Sequence, residues 1–171
     1  MGIEYSGGAG MGPTAESTGA REGASRTAPP QAGPPTEGPL AVVDRLLKAT
    51  NGHNLDELVE CFAEDYINET PVHPTRGFAG REQVRRNWTR IFAAVPDLEA
   101  QISASTADGG RVWSELRMTG TRTDGTPHEM AGVILFTVQG TWITAARFYL
   151  EPVDHHGGTA DDAVRVLTAE A

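Results

Sequence analysis

Cysteine is almost missing from this chain: Cys61 is the only one in 171 residues. A lone thiol excludes any internal disulfide, so the fold must rest on its core, and a reducing cytoplasm is the expected location. Aromatic side chains are sparse too, at 6%, so each Trp, Tyr or Phe carries weight in locating core and cavity. No run of about 18 apolar residues occurs, which excludes a membrane-spanning helix. The chain opens with neither a basic nor an apolar stretch, so no secretory signal is expected. Without such a signal the Asn68-Glu69-Thr70 and Asn87-Trp88-Thr89 sequons carry no meaning. Positive charge is in deficit: 14 Lys and Arg stand against 23 Asp and Glu, a formal net charge of -9. Such a balance repels phosphate backbones, so neither nucleic acid nor membrane is an expected partner. A phosphate-binding glycine loop, a nucleophile elbow and a paired metal-ligand motif are also missing. His155-His156 alone is too short a cluster for a metal site.

What remains divides into three parts. Residues 1–39 hold 9 of the 20 glycines and 6 of the 11 prolines. Little apolar surface is available there to offset ordering entropy, so a disordered tail is expected. Residues 40–153 carry the periodic patterns of a domain, and 154–171 form a polar tail with a short helix from about Thr159, Asp162 supporting its cap.

Within the domain, helices come first. Pro39 opens one, Val42, Val43, Leu46 and Leu47 give its apolar stripe, and Asn51-Gly52 ends it with glycine suited to a left-handed cap. Asn54 caps a second helix with Glu57 in the capping-box position, and Leu55, Leu58, Val59 and Phe62 make its inner face. Cys61 falls in the same helical pattern, as a buried inert thiol. A short strand follows to Thr70, and Pro71 and Pro74 force an extended loop to Phe78. A third helix from about Arg81 to Ala94 places Val84, Trp88, Ile91 and Phe92 on one side; Arg81, Arg85, Arg86 and Arg90 form a solvated face.

Strands come last. Turns at Asp108-Gly109-Gly110, Asp124-Gly125 and Gln139-Gly140 separate Leu98–Ser105, Arg111–Thr121, His128–Val138 and Trp142–Leu150. Period-2 sorting gives one apolar face, with Ser114, Leu116 and Met118, then His128, Met130, Gly132, Ile134 and Phe136, then Ala146, Phe148 and Leu150. The opposite face mixes Trp113, Tyr149, Glu115, Arg117, Glu129 and Arg147; it is too aromatic for a plain solvent face and reads as a homodimer contact. The predicted fold is α+β, a cone-shaped curved antiparallel sheet wrapped over three N-terminal helices and enclosing a small pocket.

The stretches Phe62–Asn68, Gly77–Glu82, Gly120-Thr121-Arg122 and Ile143–Glu151 resemble the SnoaL-like branch of the nuclear transport factor 2-like superfamily, over roughly Leu40 to Val153. That resemblance implies the same cone, and a group that includes polyketide cyclases, ketosteroid isomerase, an epoxide hydrolase, dehydratases and non-catalytic binding modules. It implies chemistry by acid–base side chains, with no metal and no organic cofactor. The Asp–Arg–Asp relay of the epoxide hydrolase falls on Leu116, Met118 and Phe148 here, which removes that mechanism. No carboxylate occupies the last strand's inner face, a departure from the Asp and His of the cyclases.

The candidate catalytic residues are then His128, whose ordinary pKa suits proton transfer near neutrality, with Asn68 and Tyr66 to hold a carbonyl or a water. Trp88, Leu116, Met118, Met130, Ile134 and Phe148 are the candidate substrate-binding residues. His73 and Arg76 lie on the proline-rich loop, which could cover the pocket. Two readings stay open: a cofactor-independent cyclase, isomerase or dehydratase acting on a small hydrophobic carbonyl compound, or a non-catalytic module binding a hydrophobic ligand.

Overall fold

Helix α1 (Pro39–Asn51) starts at proline, whose missing N–H costs nothing at that position, and buries Val42, Val43 and Ala49. In the computed structural model, which describes residues 38–168, α1 leads to α2 (Leu55–Glu60), β1 (Phe62–Glu69), a single 3-10 turn (Pro74–Arg76) and β2 (Phe78–Ala79). Then come α3 (Arg81–Ala94), β3 (Glu99–Asp108), β4 (Arg111–Thr121), β5 (Pro127–Gln139), β6 (Trp142–Pro152) and α4 (Ala160–Thr168). Of the tail expected over residues 1–39, residues 1–37 lie outside those described. No helix among the described residues is long and apolar enough to cross a membrane.

The six strands form one curved sheet in the order β2-β1-β6-β5-β4-β3. Helices first and hairpins last is the predicted order, but the sheet is mixed. β1 runs parallel to β6, pairing Asn68 with Ala146 and Glu69 with Arg147. Parallel neighbours need a long crossover, and here α3 and the β3–β5 hairpins supply it. The sorting of faces follows the period-2 pattern: Val112, Ser114 and Leu116, then Ile134, Phe136 and Val138, then Ile143 and Ala146 are buried. They form one core with Val42, Val43, Leu58, Val59 and Val84 from the helices.

Two local assignments are corrected. Phe62 belongs to β1, not to the inner face of α2, because α2 ends at Glu60 and Cys61 is its C-cap. Cys61 is fully buried, and its Sγ donates to the Glu57 carbonyl at 3.3 Å. At the end of α1, Gly52 keeps right-handed geometry (φ -80) and His53 takes the left-handed position (φ 50). The sheet explains this. Asn51 accepts from Ala100 N at 2.8 Å and donates to Ala100 O at 2.9 Å, while His53 Nε2 lies 2.9 Å from Leu98 O. These side chains tie the helix end to the outer strand β3 and fix the chain path. Asn51→Ala leaves both groups of Ala100 without these partners, so we expect a loss of about 2 kcal/mol in unfolding free energy, read by urea denaturation. The capping prediction for α2 holds, with Asn54 Oδ1 accepting from Glu57 N at 3.2 Å. The terminal helix also forms, and Thr159 and Asp162 cap it reciprocally, Asp162 Oδ2 accepting from Thr159 N at 2.8 Å.

Candidate functional site

The concave side of the sheet and α3 enclose a cavity of about 340 Å³. β1 contributes Phe62, Tyr66 and Asn68, and β2 contributes Phe78. From α3 come Val84, Asn87, Trp88, Ile91 and Ala94, a 3.6-period stripe. Met118, His128, Met130, Phe148 and Leu150 project from β4, β5 and β6, and Arg122 sits in the β4–β5 turn. Trp88 packs on Phe92 with ring centroids 5.3 Å apart. Seven of the nine predicted site residues therefore line this one space: His128, Asn68, Tyr66, Trp88, Met118, Met130 and Phe148. Leu116 and Ile134 lie elsewhere, around a narrower space of about 50 Å³ bounded also by α1. Phe62, Trp88, Met118 and Phe148 border both spaces.

Tyr66 is 1% exposed, edge-on to Phe62 (4.7 Å) and to Phe78 (6.0 Å). Alternation along β1 puts Asn68 on the same face, and Asn68 Nδ2 donates to Tyr66 Oη at 3.2 Å. Burial drives the Tyr66 hydroxyl well above its ordinary pKa, and the Asn68 hydrogen bond offsets only part of that. The phenol therefore stays protonated at any physiological pH. Its oxygen already accepts from Asn68, so its own O–H remains a donor for whatever occupies the cavity.

His128 begins the inner face of β5 and is half-buried. Burial holds its imidazole below the ordinary value, and the neighbouring Arg122 cation lowers it further. Its Nδ1 lies 3.4 Å from Arg122 Nη2. The site thus joins a neutral base at one position to a neutral hydroxyl donor at another, inside mostly apolar walls.

Among the described residues, no Asp or Glu side chain lines this cavity. Glu151 alternates to the other side of β6 from Leu150 and meets His73 Nε2 at 3.2 Å. This pair fastens the proline-rich loop to β6; His73 and Arg76 are not part of the cavity wall. Three of the four α3 arginines are engaged locally: Arg85 pairs with Asp56 at 2.7 Å, Arg81 with Glu64 at 3.2 Å, and Arg86 bonds Gln83. On the outer sheet face Arg117 pairs with Glu129, Arg147 pairs with Glu69, and His155 reaches Glu129 at 2.8 Å.

Sequence reasoning passed over Asn87 and Arg122. Asn87 Oδ1 accepts from Gln83 Nε2 at 2.8 Å, one helical turn back, which leaves its Nδ2 as a second donor at the cavity wall. The helical stripe could have shown it, since Asn87 is three residues after Val84 and four before Ile91. Arg122 lies in a turn, where no periodicity tells which way a side chain points.

The family model described as "SnoaL-like domain" matches residues 43–146. The chain belongs to the SnoaL-like domain family. Solved structures similar to this SnoaL-like chain share its fold at low identity. One is a hypothetical protein with a ketosteroid isomerase-like fold from Catenulispora acidiphila, in complex with trimethylamine: 24% identity, TM-score 0.56, covering 63% of this chain and 84% of that one. Another is an LEH-like epoxide hydrolase of M. tuberculosis, at 20% identity and TM-score 0.59, covering 69% and 86%. A third, Rv0760c from Mycobacterium tuberculosis in complex with estradiol-17beta-hemisuccinate, has 19% identity and TM-score 0.58, covering 66% and 93%. No curated protein matches the sequence.

Proposed function

We propose that this SnoaL-like domain binds a small hydrophobic carbonyl compound and acts on it as a cofactor-independent acid–base catalyst of the isomerase, cyclase or dehydratase type. The observation that carries the reading is the polar set within the apolar cavity: the protonated Tyr66 hydroxyl, held by Asn68, and the neutral imidazole of His128. His128 takes a proton from the carbon beside the carbonyl. The carbonyl oxygen, gaining negative charge, accepts the Tyr66 O–H, and the imidazolium then returns its proton to another atom of the substrate. Trp88, Met118, Met130 and Phe148 supply the apolar surface that orients the substrate. Leu116 and Ile134 support that wall from beneath. The steroid ester bound by the fold relative Rv0760c fits the same ligand chemistry.

His128→Ala is the test. Turnover of a cyclic-enone panel, followed by proton exchange at the carbon beside the carbonyl, is expected to fall by about 10²-fold or more, while calorimetric affinity stays within a few-fold. Unchanged turnover would remove His128 from the mechanism. Binding without exchange in the unsubstituted protein would favour the second reading, a non-catalytic hydrophobic-ligand module, which the lack of a lining carboxylate among the described residues supports.

The outer sheet face is proposed as a homodimer contact. Ile67, Trp142 and Tyr149 are exposed there or at its edge, at 45%, 52% and 40%. Sedimentation velocity is expected to show a dimer that Tyr149→Glu converts to monomer; a monomer at every concentration would overturn this.

A further inference from the structure

We infer that the ligand carries a carboxylate at one end, and that Arg122 binds it at the cavity mouth. This rests on the proposed reading of the cavity and narrows its substrate class to hydrophobic oxo acids.

The mouth is formed where the β4–β5 hairpin meets the C-terminal end of α3. Thr123 N donates to Ala94 O at 3.0 Å, and Arg122 N to Thr126 O at 2.9 Å, so the backbone at Arg122 is held on both sides. The Arg122 side chain lines the same cavity as His128, and among the described residues it is the only permanently charged side chain that does. Its guanidinium makes one long hydrogen bond, Nη1 to Pro127 O at 3.3 Å, and Nη2 lies 3.4 Å from His128 Nδ1. An arginine has five N–H donors in a planar fork, so a carboxylate-sized face is left.

Nearby acids do not fill that face. Asp124 lends some of its field, but its Oδ1 accepts from Thr126 N at 2.9 Å and from Thr126 Oγ1 at 2.6 Å. Asp97 Oδ1 accepts from Thr121 N at 2.6 Å. Among the described residues Arg122 has no carboxylate within ion-pair range; Arg76, Arg86, Arg90 and Arg111 share that condition, but of these only Arg122 lines the cavity that holds His128. In a chain of formal net charge -9, a cation without such a partner at the rim of an apolar space is a matched receptor for an anion. A carboxylate seated there directs the apolar body inward, toward Tyr66 and Asn68, and leaves His128 beside its outer end.

The experiment is calorimetric titration of the full chain with 6-oxodecanoate and with its methyl ester. The acid is expected to bind about tenfold or more tightly than the ester. In Arg122→Gln that preference is expected to collapse while the ester keeps its affinity, which also reports that the cavity is intact; Arg122→Lys is expected to restore part of it. Equal affinity for acid and ester, or a preference that survives in Arg122→Gln, overturns the carboxylate assignment and leaves the apolar cavity reading standing. Failure of both compounds to bind overturns both.

Discussion

Gly132→Ala is expected to destabilise this protein by more than about 3 kcal/mol, a large part of the roughly 5–15 kcal/mol that holds a domain folded. Gly132 sits at the middle of β5, paired on one side with Leu116 of β4 and on the other with Leu150 of β6. Its φ is +149, a conformation that L side chains rarely adopt. A Cβ there would run into the Tyr149 carbonyl oxygen and come within 3.0 Å of Leu150 Cα. Both obstacles are backbone in a hydrogen-bonded ladder, so no rotamer change relieves them. Relief requires β5 and β6 to separate where the sheet curves around the cavity, displacing Met130 and Leu150 with them. Gly125→Ala is the control. Gly125 also has positive φ (+82), but nothing lies within 4 Å of its added Cβ. It should cost only the strained conformation, about 1–2 kcal/mol. Urea denaturation of both variants separates the two contributions. Equal losses would show that the close approach of β6 is not what selects glycine at 132.

Gly132 also marks how far the sequence could be read. Period-2 alternation placed it on one face with Met130 and Ile134, and the register pairs it there with Leu116. Nothing in the sequence said that the neighbouring strand would press against it, because that depends on the sheet's curvature. Hairpin signals were reliable: the three turns all hold positive-φ glycines, Gly109, Gly125 and Gly140, and β4 spans Arg111–Thr121 as predicted; the cap signal at Gly52 was not, because the left-handed position falls on His53. Non-local facts were not legible. Phe62 fits the helical stripe of α2, and only pairing with Ile143 of β6 makes it strand. The same limit governs the site. Alternation puts Tyr66 with Asn68 and His128 with Met130, and the resemblance turns the first pair inward, but alternation cannot rank depth. Leu116 and Ile134 share a face with Met118 and Met130, yet they fall against α1 instead of in the larger cavity.

The pH dependence of the proposed reaction should carry the signature of His128. Its imidazole is held below the ordinary value of 6.5, first by burial and then by Arg122. A base is active when deprotonated, so the acidic limb of the kcat/KM profile should fall below pH 6.5 instead of at it. Arg122→Gln removes a cation that opposes protonation, and the limb should then move up toward 6.5. In His128→Ala the limb should vanish together with about 10²-fold or more of the rate. Stability gives an independent check with a worked sign. The unfolded state, with the higher His pKa, binds more protons than the native state between the two values. Stability therefore rises with pH across that window, and His128's contribution is present above 6.5 and lost as pH falls through the lowered native pKa. NMR titration of the His128 ring protons would give the native value directly. A midpoint at or above 6.5, with an acidic limb that ignores Arg122→Gln, would mean that the proton-transferring group lies elsewhere in the cavity. A matched shift in both measurements would tie proton transfer to this one imidazole. That distinction matters because no carboxylate among the described residues lines the cavity to take its place.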